Sequence, residues 1–371
     1  MKRWISILLA VLLMLGLAAC GWLQEQTAEP APVISTANAP EETKEPETTP
    51  AARTAGGYAV VPNGDVKAEV YPYMVRTENS VWYLAAADLE MLGEEAFYAG
   101  LEDVLQYFEL DAADARRALA GRIPEDIPPV EIRTDFANQD EVAQRYSAYY
   151  NQPFNLIQIF HGWKWAKLAL LQEYVHYLTF WCAEKKTPFG FYGEAVAEYV
   201  SRIVCENRMC LSDKYGYWDD PEGMAILRAW GVWDEKRDNL DYAKYVLCVS
   251  DAFARGLYDG ESYGSVGQNA LTRTADKRLP ARVNDLSYTE AVSLALYLIE
   301  TYGEDKFLDN WDLPADRVAA AFLDRQGMSS RKTGGLNSLS ENELLAAWSA
   351  WNAEQCAELG IRMELTQENG G

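Results

Sequence analysis

Between residues 165 and 182 apolar side chains return at steps of three and four, with Leu168, Leu171, Val175, Leu178 and Cys182 on one stripe. That spacing predicts an amphipathic helix. Similar patterning predicts helices over residues 192–205, 224–230, 242–255, 288–302, 314–324 and 340–358. Upstream, residues 81–120 carry helical periodicity with few breakers, as in the run from Leu89 to Tyr98. Two short runs differ: residues 128–134 and 154–160 are bounded by polar residues and rich in Val, Ile, Leu and Phe, which predicts strands. A polar helix is expected between them, over residues 139–149. The Gly-rich run at 259–267 predicts a surface loop, and no internal repeat is apparent. The expected fold is α+β, with a small mixed α/β lobe over residues 58–160 and a mainly helical lobe over residues 161–371. The two form either one large domain or two closely packed lobes.

The amino-terminal pattern is of another kind. Lys2 and Arg3 precede an apolar stretch over residues 5–17, which ends in Leu17-Ala18-Ala19-Cys20. The stretch is shorter than the roughly 20 residues a membrane span needs, and small residues before a cysteine suit a cleavage site, so residues 1–19 are expected to be a signal peptide. The segment resembles the lipobox of bacterial lipoproteins. That resemblance implies lipidation of Cys20, anchorage of the mature chain to the cell membrane, and a position facing outside the cytoplasm. Residues 20–57 follow, rich in Pro, Thr, Glu and Ala with almost no large apolar side chains. Such a segment buries too little surface to offset its ordering entropy and is expected to be a flexible tether.

Charge narrows the partners. The formal net charge is −23, and loss of Lys2 and Arg3 with the signal takes the mature chain to −25. A surface that acidic argues against nucleic acid and against anionic lipid headgroups. Five cysteines remain after Cys20: Cys182, Cys205, Cys210, Cys248 and Cys356. Disulfides are permitted in an extracytoplasmic setting, and the odd count leaves at least one cysteine unpaired within a monomer. The Cys205 and Cys210 spacing suits a disulfide or buried thiols better than a metal clip, since no further Cys or His lies nearby in sequence.

The candidate chemistry sits on the helix after residue 165. Its segment Gln172-Glu173-Tyr174-Val175-His176 puts Gln172 and His176 one turn apart on one face, with Glu173 beside them. Glu194 opens the next predicted helix and Glu198 lies one turn further on. Histidine and glutamate on neighbouring helices can converge on one cation, with an outer carboxylate orienting the imidazole. A lone helical histidine is also an ordinary, satisfied core residue.

The runs Gln172 to Thr179 and Gly193 to Ser201 resemble the active-site helices of gluzincin metallopeptidases, the thermolysin and aminopeptidase N group. The resemblance implies His176 as a zinc ligand, Glu173 as general base, Glu194 as a further ligand and Glu198 as the carboxylate that orients a ligand from outside. It implies that the strand over residues 155–160 is the edge strand against which substrate lies. The segment from Ser287 to Gly303 is similar to the part of the aminopeptidase branch whose tyrosine stabilises the oxyanion, here Tyr288. Gln172 stands where the family has its first histidine ligand. A neutral amide is a weak donor for zinc, so zinc binding is expected to be weak or absent. The other of the two histidines, His161, lies eleven residues before Gln172 and is a candidate rescue ligand or a plain loop residue.

Three functions follow as expectations. One is a catalytically silent gluzincin-like domain that binds a peptide or protein at the degenerate site. The second is a working metallopeptidase with an unusual ligand set and Glu173 as base. The third is a solute-binding lipoprotein that stacks sugars on tryptophans such as Trp163, Trp165, Trp230 and Trp233.

Overall fold

The computed structural model describes residues 53–65, 67–182, 191–205, 221–255, 257, 286–309 and 339–364. Cys20, the signal, the tether up to residue 52, the Gly-rich run 259–267 and the helix expected over 314–324 lie outside the described residues. Among the described residues no helix is long and apolar enough to cross a membrane.

The architecture is α+β. Strands β1 (Arg53–Ala55), β2 (Tyr58–Pro62), β3 (Tyr73–Arg76) and β4 (Ser80–Leu84) form an antiparallel meander. Helices α1 (Ala86–Leu92) and α2 (Glu94–Ala118) then cross over to β5 (Val130–Thr134), which pairs with β4 in parallel. After α3 (Glu141–Arg145) the chain runs through β6 (Ala148–Asn151) and a 3-10 turn, Gln152–Phe154, into β7 (Leu156–Ile159). The seven strands lie in the order β1-β2-β3-β4-β5-β7-β6. Period-two alternation is clearest in β5, where Val130, Ile132 and Thr134 are buried while Glu131 and Arg133 pair on the other face.

Several expectations need correcting. Residues 53–57, expected in the tether, carry β1 and the turn after it, where Gly56 and Gly57 take left-handed φ values of 57° and 84° and turn β1 into β2. Arg53 then lies 4.1 Å over the Tyr98 ring and Ala55 is buried. Residues 81–84 are strand rather than helix, since Val81, Trp82 and Leu84 are buried in the sheet between β3 and β5. The polar helix expected over 139–149 shrinks to α3, capped by Asp140 accepting from the Ala143 N–H at 2.8 Å, and its remainder becomes β6. The strand β7 is internal, and the sheet edge beside it is β6.

The helical part begins with α4 (Trp163–Cys182), followed by α5 (Phe191–Glu198) and a π-helical segment, Tyr199–Val204. Helices α6 (Pro221–Ala229), α7 (Tyr242–Ala254), α8 (Leu286–Tyr302), α9 (Glu304–Asp309) and α10 (Leu339–Leu359) follow, with a small hairpin, β8 (Trp233–Asp234) and β9 (Asn239–Leu240), between α6 and α7. Unlike a surface helix, α4 is buried on every side: Ala166, Leu170, Leu171, Tyr174, Val175, Tyr177 and Leu178 all lie within the core. It packs against α2, α5, β6 and β7. Its first residue, Trp163, presses so closely on α2 that a Cβ added to Gly100 would lie 2.1 Å from the indole.

One apolar cluster runs from the sheet through α2, α4, α5 and α8, so the mixed and helical parts share a core. A second cluster joins α6, the β8 and β9 hairpin, α7 and α10. Ile203, Leu296 and Trp351 touch both.

Candidate functional site around Gln172, His176 and Glu194

The middle of α4 carries the polar exceptions in an otherwise apolar helix. Gln172 is 7% exposed and His176 4%. Buried polar side chains need partners, and both find the same one. Gln172 Nε2 lies 3.0 Å from Glu194 Oε2, and His176 Nε2 lies 3.1 Å from that same oxygen. Glu194 reaches them from the first turn of α5, where the helix N-terminus favours a carboxylate.

A carboxylate oxygen only accepts, so both neighbours present protons to it. The Gln172 amide turns its NH2 inward, and the His176 Nε2 carries hydrogen. Burial disfavours the charged imidazole, but the Glu194 charge and hydrogen bond outweigh it, with Glu173 and Glu198 adding, and push His176 up to about 9. The imidazole is therefore protonated at neutral pH and forms an ion pair with Glu194.

Glu173 points elsewhere. Its Oε2 accepts the backbone N–H of Tyr150 on β6 at 2.8 Å. Burial raises its pKa to about 7, opposed by His176 and by the Tyr150 N–H and reinforced by Glu194 and Glu198. Around neutrality this carboxyl is divided between its two protonation states.

Glu198, expected behind the metal ligands, is 1% exposed and hydrogen-bonded otherwise. Its Oε2 accepts from Arg202 Nε at 2.5 Å and from the Tyr242 hydroxyl at 3.0 Å. Arg202 also lies 5.2 Å over the Tyr242 ring. Arg202 stands one helical turn after Glu198, within a π-helical segment whose widened turn is marked by the Cys205 N–H bonding to Val200 O at 3.0 Å. Three carboxylates thus meet two cations, and the remaining negative charge is relieved by partial protonation of Glu173.

Tyr288 lies in the first turn of α8, the helix packed against α5, and is partly buried. His161 is exposed in the turn entering α4, with a left-handed φ of 63°. Nine residues separate the start of α4 from Gln172, about 14 Å along the axis at 1.5 Å per residue. Its ring lies 6.4 Å from that of Phe160.

The three positions offer a cation one imidazole, one carboxylate and a neutral amide. A catalytic zinc takes three lone-pair donors from imidazole, thiolate or carboxylate and keeps one open position. Here one imidazole and one carboxylate are occupied with each other, and the third residue is an amide with its NH2 turned to the carboxylate. Among the described residues no group of three or more His, Cys, Asp or Glu side chains is arranged to hold a metal ion.

Three participants were absent from the sequence reading. Arg202 was findable, since it stands four residues after Glu198, the spacing of a helical ion pair. Tyr242 gives no such signal, being 44 residues away. Tyr150 acts through its backbone N–H, which no side-chain motif encodes. The chain matches no known protein family, no curated protein and no solved structure.

Proposed function

We propose that this chain is a membrane-anchored extracytoplasmic lipoprotein whose gluzincin-like domain is a pseudo-peptidase, a module that binds a peptide or protein without zinc chemistry. The observation that carries this reading is the convergence of Gln172 and His176 on one oxygen of Glu194. In the resembled family three such positions hold a cation. Here the protonated imidazole balances the charge of the carboxylate and the amide adds a hydrogen bond to it. Glu194 keeps 23% of its side chain exposed, which leaves the cluster within reach of a partner. The lipid anchor on Cys20 rests on the amino-terminal sequence pattern.

Elemental analysis of purified protein lacking residues 1–52, which keeps β1, tests the metal part. The expected result is no stoichiometric zinc, with a gain in Gln172→His, which restores a third strong donor. Stoichiometric zinc in the unmodified protein overturns the pseudo-peptidase reading. Failure of Gln172→His to gain zinc counts against the gluzincin-like assignment itself.

A second reading, a peptidase with an unusual ligand set, draws on Glu173. A carboxyl with a pKa of about 7 is suited to exchange protons near neutral pH. Peptide hydrolysis that disappears in Glu173→Gln would favour it over the silent module.

A further inference from the structure

Away from this cluster, α7 and α10 each bring a cysteine into the second apolar core. Cys248 and Cys356 are buried, and neither is in a disulfide. Several contacts bring the segments that carry them together. Asn352 Nδ2 on α10 donates to Leu247 O at 2.8 Å, so the helical turn before Cys356 lies on the residue before Cys248. The chain leaving α10 then folds back over both positions. The Ile361 N–H donates to Cys356 O at 3.0 Å, and the Met363 N–H is hydrogen-bonded to the Cys248 thiol. Asp251 and Arg255, one and two turns along α7 from Cys248, act on both thiols. Cys205 belongs to the other apolar cluster.

We propose that Cys248 and Cys356 are an intramolecular disulfide site that staples α10 to α7, with a small or protein disulfide as the oxidant. One thiol gives its proton to solvent, and its sulfur attacks the oxidant RSSR, forming a mixed disulfide and releasing RS⁻. The second thiol likewise loses a proton and attacks the mixed disulfide, which closes the Cys248 to Cys356 bond and releases a second RS⁻. Both leaving thiolates take up protons. Two protein thiols are oxidised and one RSSR is reduced to two RSH.

Burial sets the conditions for this exchange. It pushes both thiols up to about 12, with Cys356 adding to the shift on Cys248 and Asp251 to both. At neutral pH only about one thiol in 10⁵ is then a thiolate, the form that reacts. The folded, reduced protein should therefore resist alkylation, and the bond should form as the chain folds or when α10 lifts from α7. The extracytoplasmic position proposed above supplies an oxidising setting, but the bond can be tested without it.

The test uses the full-length chain in detergent, oxidised with glutathione disulfide under mild urea and returned to buffer. It is then digested without reduction and its peptides are mapped by mass spectrometry. The expected product is one linked pair containing Cys248 and Cys356, together with a rise in Tm of roughly 5–10 °C over the reduced protein, as a closed loop of this length implies. The rise should vanish equally in Cys248→Ala and Cys356→Ala. Both cysteines still free after oxidation, linkage to Cys182, Cys205 or Cys210, or linkage between chains would each overturn the proposal. The map is made on the unsubstituted protein, so it stands even if an alanine variant folds poorly. A correct link in a protein found inside the cell would remove the localisation while leaving the site intact.

Discussion

The backbone N–H of Tyr150 donates to the Glu173 carboxylate across 2.8 Å. Tyr150 lies on β6, the edge of the sheet, and Glu173 lies on the helix buried beside it. The residue that the family resemblance makes a general base therefore closes part of an open strand edge, a position that otherwise invites pairing with another chain. Glu173→Ala should leave this donor without its partner and lower stability by about 1–3 kcal/mol. Glu173→Gln keeps an acceptor oxygen and should lose less. Urea unfolding gives the energies, and hydrogen exchange at the Tyr150 amide should speed up only in the alanine variant; equal exchange in both would show that the contact does not protect the edge.

Protonation links this cluster to stability. His176 is held at about 9 against an ordinary 6.5, so its contribution is complete below pH 6.5 and is lost as pH rises through 9. Glu173 is held at about 7 against 4.5, so its contribution is complete below pH 4.5 and is lost as pH rises through 7. Both act in one direction. Unfolding midpoints in urea should fall steadily between pH 4.5 and 9, and His176→Gln should flatten the upper part of that fall. A protein equally stable across the range would refute the ion pair.

Arg202 should matter more than a surface arginine. Its partner Glu198 has a side chain only 2% exposed, so removing the cation strands a buried charge. Arg202→Met should cost about 3–5 kcal/mol, and combining it with Glu198→Gln should recover much of that loss. Tyr242→Phe, which removes one hydrogen bond to the same carboxylate, should cost about 1–2 kcal/mol. A thermal scan of the four proteins checks the ranking.

Gly100 offers a test of packing alone. The indole of Trp163 that a Cβ would strike is held between Phe97 and Phe136, at ring distances of 5.1 and 4.8 Å, and has little room to move. Gly100→Ala should therefore destabilise by about 1–3 kcal/mol, although alanine favours the helix. A neutral or stabilised variant would mean that α2 and α4 separate easily.

Legibility in the sequence followed the strength of local pattern. The helices α4, α7 and α8 and the strand β5 were readable because burial on one face or on all faces leaves a period in the side chains. The meander β1 to β3 was not, since its strands are only three to five residues long and most of their residues are exposed or half-buried. Residues 81–84 passed for helix because a strand buried on both faces shows no alternation. At the site, Gln172, His176 and Glu194 were legible from helical spacing and do meet. What the spacing did not reveal was the direction of hydrogen bonding, which depends on a shared oxygen, and the π-helical turn that follows Glu198.

That turn sets the phase of the chain after Glu198. A π-helical segment absorbs about one extra residue relative to an α-helix, equivalent to roughly 100° of rotation. Deleting a single residue between Tyr199 and Val204 would let the segment rewind as α-helix and swing every later side chain to a new compass bearing. Ile203, which now touches both apolar clusters, would turn away from one of them. The segment thus works as a gear tooth: its length in residues, more than its composition, keeps the two halves of the core in mesh.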